Sequence, residues 1–261
     1  VTFAEVDGAR LHIRQRGTGP VALFVHGFPL DSTLWLEQIA ALSDLRRCIA
    51  PDLRGFGRSS PVTGAPLLME DHAADLAAVL DLVSAEQADI IGLSMGGYVA
   101  LAFAELYPDR VRSLALVDTK AGPDDEPGRR ARDEAAARVV RDGRGSLADT
   151  MEAALLGPDP SLSTRARLRT MIEGCRYETI VAALAGMRDR PDRGALLPGC
   201  NVPSAVIVGE HDTVTPPGEA AAMAAALPDA SLHTIAAAGH LSPIEQPAAV
   251  AAVLRTLLER A

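Results

Sequence analysis

The segment Gly92-Leu93-Ser94-Met95-Gly96-Gly97 constrains this 261-residue chain more than any other. It follows an apolar run, Ala88–Ile91, and opens a helical pattern over Met95–Leu106. A strand that becomes a helix across so short a turn holds its central residue in a strained backbone conformation, with the side chain standing clear. Small residues two before and two after relieve the crowding between strand and helix. A Gly-rich turn with an incidental serine is the bland alternative. The strand–turn–helix context favours a nucleophile elbow carrying Ser94.

Around that unit, short apolar runs alternate with helical periods, which predicts an α/β fold: a mostly parallel sheet of about eight strands flanked by helices. Strands are expected at Phe3–Asp7, Leu11–Arg16, Val21–Val25, Arg46–Ala50, Ala88–Gly92, Ser113–Val117, Ser204–Val208 and Ser231–Ile235. Asp7-Gly8 joins the first two as an antiparallel hairpin at the sheet edge. Helices are expected at Ser32–Leu42, Glu70–Val83, Met95–Leu106 and Glu245–Arg260. Between Gly122 and Gly194 the character changes: thirteen arginines meet thirteen acidic residues in a strandless, helical block. Its helices are expected at Glu126–Arg141, Leu147–Leu156, Ser163–Cys175 and Glu178–Met187. A balanced, charged block between two strands of one sheet reads as an inserted helical lid over residues 122–194. The core is then 1–121 and 195–261.

Serine is a weak nucleophile without a neighbouring base. His240, in Gly239-His240-Leu241 between the last strand and the last helix, sits where a loop reaches the carboxyl edge of the sheet. His12, His72, His211 and His233 fit less well, lying in or beside regular elements or next to a candidate acid. The acid should fall between serine and histidine in chain order. Asp212, in Gly209-Glu210-His211-Asp212, is preferred because its strand directly precedes the histidine strand. Asp118, ending the strand Ser113–Val117, is the competitor, and Glu210 a third choice. A tetrahedral oxyanion needs two backbone donors. Met95 offers one at a helix N-terminus. The N–H of Phe28 in His26-Gly27-Phe28-Pro29 offers the second, since Pro29 has none. His26 is read as tying that loop to a neighbouring one. In the lid, Leu155, Leu156, Met171, Leu184 and Met187 are candidates to face a substrate, although helical amphipathicity places them in a core just as readily.

The remaining features exclude partners. A net charge of −9 argues against nucleic acid. No apolar run approaches the roughly 18 residues that span a bilayer. Cys48, Cys175 and Cys200 are odd in number and far apart, so neither a disulfide framework nor a Cys/His metal site is expected. No P-loop occurs, and Lys120 is the only lysine. The cysteines read as small buried hydrophobes in a reducing cytoplasm, the expected location; no basic-then-apolar leader precedes the strand-like stretch that opens after Val1, and a start at Val leaves a removed leader open. No cofactor and no metal are expected, and the expected partner is a small-molecule ester or lactone, an acyl substrate that a serine triad with an oxyanion hole would attack.

Taken together, His26-Gly27-Phe28-Pro29, Asp52-Leu53-Arg54-Gly55-Phe56-Gly57-Arg58-Ser59, Gly92-Leu93-Ser94-Met95-Gly96-Gly97, Gly209-Glu210-His211-Asp212 and Gly239-His240 resemble the α/β-hydrolase superfamily over the whole chain outside the lid. The likeness is to small bacterial serine esterases, cofactor-free haloperoxidases (perhydrolases) and 3-oxoadipate enol-lactonases. It implies the same triad and oxyanion donors, and a packing role for Arg54 and Gly55. It also implies the alternatives: an enol-lactonase or C–C hydrolase, a perhydrolase side activity associated with Pro29, or a non-catalytic ligand receptor on the same fold. Haloalkane dehalogenases and epoxide hydrolases of this superfamily carry Asp at the elbow, where this chain has Ser94.

Overall fold

The apolar runs become strands β1 (Thr2–Val6), β2 (Ala9–Arg16), β3 (Val21–Val25), β4 (Arg47–Pro51), β5 (Ala88–Leu93), β6 (Val111–Val117), β7 (Ser204–Gly209) and β8 (Ala230–Ile235) in a computed structural model that describes residues 2–62 and 64–261. Val1 lies outside the described residues. The strands form one eight-stranded sheet in the order β1-β2-β4-β3-β5-β6-β7-β8. β1 pairs antiparallel with β2, and β2 with β4, while every later pairing is parallel. β3, β5 and β7 are buried along their whole length, as expected of central strands covered on both faces.

Helices α1 (Leu36–Leu42), α2 (Met69–Leu82) and α3 (Met95–Leu106) connect the first strands, and α1 packs on the C-terminal helix while α2 packs on α3. After β3 the chain crosses to β4 on one side, then returns to β5 on the other. The carboxyl ends of β3 and β5 therefore flank a switch point, where an open α/β sheet leaves a crevice for a ligand. The loop after β3 and the elbow after β5 both emerge there.

Four helices interrupt the sheet between its neighbours β6 and β7: α4 (Glu126–Asp142), α5 (Arg144–Leu155), α6 (Leu162–Gly174) and α7 (Tyr177–Arg188). Charged side chains hold this insertion down. Asp124, at its root, takes hydrogen bonds from Arg132 Nε at 2.7 Å and Arg190 Nη2 at 2.9 Å, with Lys120 Nζ at 3.5 Å. Arg190 is buried and lies over the Tyr98 ring, 4.1 Å from its centroid. Arg193 bonds Glu105 and Glu70 of the core. Arg167 of α6 bonds Glu37, and Arg176 and Thr179 donate to the Gly55 carbonyl at 3.0 and 2.9 Å. A side chain at Gly55, where φ is +88°, would collide with Thr179, which explains the glycine.

Two helical expectations need correction, and one further helix is present. The pattern at Ser32–Leu42 is a 3₁₀ turn, Ser32–Trp35, capped by Asp31 on the Thr33 amide at 2.8 Å, followed by α1. A helix α8 (Pro217–Ala226) follows β7; its run of alanines carries too little hydrophobic contrast to be read from periodicity. The expected helix from Glu245 is two, α9 (Ser242–Glu245) and α10 (Pro247–Arg260), because Pro247 restarts the helix at its first turn. All three cysteines are free thiols. Among the described residues, no helix is long and apolar enough to cross a membrane.

Candidate active site

Ser94 occupies φ +54°, ψ −116°, the strained conformation expected of an elbow. Its neighbours leave no room for larger residues. A Cβ at Gly92 would strike the Gly96 carbonyl, one at Gly96 the Val25 carbonyl, and one at Gly97 the Thr119 side chain. Thr119 in turn donates to the Ser94 carbonyl at 2.8 Å. The elbow is thus squeezed between β3, β6 and α3, and Ser94 is left half-buried at its tip.

The Ser94 Oγ lies 2.8 Å from His240 Nε2, and His240 Nδ1 lies 2.8 Å from Asp212 Oδ2. Both His240 and Asp212 are buried. Asp212 is well held: its Oδ1 accepts from the amides of Val214 at 2.8 Å and Thr215 at 2.9 Å, and its Oδ2 accepts from Thr215 Oγ1 at 2.8 Å. Burial opposes ionisation of this carboxyl, but the bonds from His240 and Thr215 outweigh it and hold the pKa below the ordinary aspartate value. Such a chain lets an imidazole take the hydroxyl proton while the carboxylate fixes its tautomer and stabilises the imidazolium.

Asp118 is brought close but does not touch the imidazole. Its Oδ1 accepts from the Gly209 amide at 2.8 Å, and its Oδ2 from the Ser242 hydroxyl at 2.6 Å and amide at 3.1 Å. Gly209 precedes the Asp212 loop and Ser242 follows His240, so Asp118 braces both. Burial, with Asp212 nearby, pushes its carboxyl up to about 7 against the opposing pull of His240. Glu210 is exposed and caps the Ala237 amide at 3.1 Å.

The loop after β3 lies against the elbow. A Cβ built on Gly27 would fall 2.7 Å from Leu93 Cδ2 and 3.3 Å from Ser94 Cβ. His26 fixes this loop: its Nδ1–H donates to the Gly27 carbonyl at 2.9 Å, and its Nε2 accepts from the Leu53 amide at 3.0 Å. Burial depresses its pKa, which suits this neutral tautomer. Phe28 is half-buried beside that turn, and Met95 opens α3 directly after Ser94.

All five expected lid residues, Leu155, Leu156, Met171, Leu184 and Met187, are buried. Two of them adjoin the histidine loop: the Leu155 carbonyl accepts from the His240 amide at 2.8 Å, and a Cβ on Gly239 would meet Leu156 at 2.7 Å. Met187 is engaged otherwise, its sulfur lying 3.5 Å from Arg132 Nη1. Sequence reasoning passed over Thr215 and Glu245. Thr215 carries only the faint signal of the turn that Asp212 opens, since an Asp side chain commonly bonds backbone two residues on, as here at Val214; Glu245 lies five positions beyond His240. Among the described residues, no group of three or more His, Cys, Asp or Glu side chains is placed to hold a metal ion.

A thermophilic esterase from Thermogutta terrifontis, solved with malate bound, superposes with a TM-score of 0.91 at 41% identity, over 97% of this chain and 94% of that one. The enol-lactonase from Burkholderia xenovorans LB400 superposes with a TM-score of 0.90 at 26% identity, over 99% and 100% of the two chains. The dihydrolipoyllysine-residue acetyltransferase component of an acetoin cleaving system from Cupriavidus necator is 32% identical over 253 residues, 94% of this chain. The chain spans 65% of that relative, and its match to an epoxide hydrolase from Caballeronia sordidicola, 38% identical over 110 residues, spans 33%. A family profile described as the alpha/beta hydrolase fold matches residues 20–247, from β3 to the first residue of α10, taking in the elbow, the acid loop and the histidine loop. With its sheet order and strained serine turn agreeing with that match, the chain belongs to the α/β-hydrolase family.

Proposed function

We propose that this chain is a serine hydrolase of carboxylic esters, lactones included, working through an acyl-enzyme on Ser94. The observation that carries the reading is the unbroken hydrogen-bonded chain from the Ser94 hydroxyl through His240 to Asp212. Ser94 attacks the ester carbonyl while His240 takes its proton. The amides of Met95 and Phe28 stabilise the oxyanion, and His240 returns the proton to the leaving alcohol. Water, deprotonated by the same imidazole, then releases the acid.

Chemistry separates this reading from the epoxide hydrolase relative. Opening an epoxide or displacing a halide at saturated carbon requires a nucleophile whose adduct water can later cleave. A carboxylate forms an ester, which has a carbonyl to attack; Ser94 would form an ether, which has none. Acyl carbon is the target on which a serine elbow turns over.

The helical insertion acts as a lid, with the substrate between it and the carboxyl edge of the sheet. Asp124 already engages Arg132 and Arg190, Glu37 engages Arg167, and Glu70 and Glu105 engage Arg193. With those cations neutralised and a net charge of −9, neutral esters and lactones should be turned over faster than dicarboxylates.

A chromogenic screen of esters, lactones and thioesters, run beside Ser94→Ala, tests the reading. The variant should fold and lose roughly 10⁴- to 10⁶-fold in kcat. Ester hydrolysis surviving within about tenfold of the parent would overturn the assignment. Stoichiometric labelling of Ser94 by a serine-directed phosphonate is expected, and its failure would point to a ligand receptor instead.

A further inference from the structure

Three successive backbone amides surround the imidazole-bearing residue, and none is left to solvent. The amides of Gly239 and Leu241 donate to Glu245 Oε1 at 2.9 and 3.3 Å. The amide of His240 itself donates to the Leu155 carbonyl, at the end of α5, at 2.8 Å. The second oxygen of Glu245 turns the other way. Oε2 accepts from the Gly157 amide, two residues beyond Leu155, at 2.6 Å. One carboxylate therefore grips the histidine loop with one oxygen and the insertion with the other. The contact is tight: a Cβ on Gly239 would come within 2.6 Å of the Gly157 nitrogen and force a shift, and one on Gly157 would press to 3.0 Å on both Glu245 Oε2 and the Gly239 nitrogen.

We propose that Glu245 is a positioning residue for the base, locking the backbone of His240 to the insertion so that the placement of the α5–α6 connection sets the reach of the imidazole to Ser94. This rests on the reading of Ser94 and His240 given above. The lever is geometric. His240 Nε2 sits 2.8 Å from the serine oxygen, and a backbone shift of an ångström or so would take it out of hydrogen-bond range. Misplacement on that scale costs about 10²-fold in rate. Asp118 braces the other flank, through Ser242, but ties it to Gly209 of β7 and not to the insertion. Of the two buried-side carboxylates, only Glu245 couples the base to the lid.

Two substitutions separate its two grips. Glu245→Gln keeps a carbonyl oxygen for the Gly239 and Leu241 amides but sets an amide N–H against the Gly157 N–H, donor against donor. Glu245→Ala releases both. With a chromogenic ester, kcat should fall about tenfold in the first and about 100-fold in the second, with KM moved less than about threefold. The downfield proton of the His240–Asp212 hydrogen bond, identified by its loss in Asp212→Asn, should shift or broaden in both variants without substrate present. Should Glu245→Ala fail to fold, the rate and resonance of Glu245→Gln decide alone. An unmoved resonance, or kcat within about twofold of the parent in a folded variant, overturns the role of Glu245. That failure is distinct from failure of the serine reading, which would show as activity retained in Ser94→Ala.

Discussion

Helix α3, which the elbow opens, buries ten of its twelve residues, whereas α4, the first helix of the insertion, buries one of seventeen. The elbow is placed by steric exclusion: glycines at 92, 96 and 97 meet backbone and side-chain atoms on every side. The insertion adds charge to packing: α7 buries seven of its twelve residues, while Asp124 with its three cations at the root and Arg167 and Arg176 along its underside tie the rest down. Exposed ion pairs are screened by salt, and the buried Asp124–Arg190 pair at the root much less. The proposed chemistry thus sits on the part fixed by steric exclusion, and the insertion is the part that also leans on charge.

The sharpest break of the sterically fixed part is Asp212→Asn, which should cost roughly 10⁴-fold in kcat by presenting the wrong histidine tautomer. Asp118→Asn, measured beside it, should cost about tenfold or less, since Asp118 touches loop amides and a hydroxyl but not the imidazole. Equal losses would erase the distinction between the two aspartates.

At the root of the insertion, Asp124→Ala leaves buried Arg190 without its carboxylate, an uncompensated charge worth about 3–5 kcal/mol. The insertion should loosen first, so limited proteolysis should cut within residues 122–194 while KM rises and phosphonate labelling of Ser94 persists. Cleavage in the core sheet instead would contradict a separately held insertion.

Acid sharpens the comparison from the core side. His72 is fully buried on α2, and burial, with His26 and Arg54 adding to it, pushes its pKa down to about 3. A depressed histidine is stabilising above its unfolded pKa of about 6.5 and loses that contribution as pH falls towards the folded value. Asp124, also depressed, by its arginines against the cost of burial, acts only below the unfolded aspartate range, near pH 4. Asp118 runs the other way: with a raised pKa, its contribution is full below about 4 and is lost as pH rises through about 7. Melting temperature should therefore fall more slowly between pH 6.5 and 4 in His72→Leu than in the parent. Parallel curves would remove His72 from the account.

The smallest effect belongs to the exposed face of α4. Arg130 pairs with Glu126 one turn earlier at 3.1 Å, in water, and Arg130→Ala should change stability by no more than about 0.5 kcal/mol. A large change would mean that this helix is held by its own surface.

The same division explains what could be read beforehand. The elbow was legible because strain and crowding demand glycine at particular spacings around Ser94, and chain order pointed to His240. The choice between Asp212 and Asp118 was harder, because both end neighbouring strands and both take hydrogen bonds at the base of the same site. Only the direction of each carboxylate distinguishes them. Glu245 could not be read at all: its partners at Gly157 and Gly239 come together through the packing of the insertion on the histidine loop. Nor could the partners of the thirteen arginines in residues 122–194, since a guanidinium on a helix can face any neighbour.

The backbone approach from Gly209 through Gly239 to Gly157 also limits where this chain can vary across generations. A Cβ at Gly209 would strike the Gly239 carbonyl, and one at Gly239 the Gly157 nitrogen. Gly209 and Gly239 accept no side chain and Gly157 only where its neighbours give way, so the seam beneath the imidazole is nearly closed to mutational drift. Variation near it is left to the exposed turns of α4 and α6, where residues change without moving that seam.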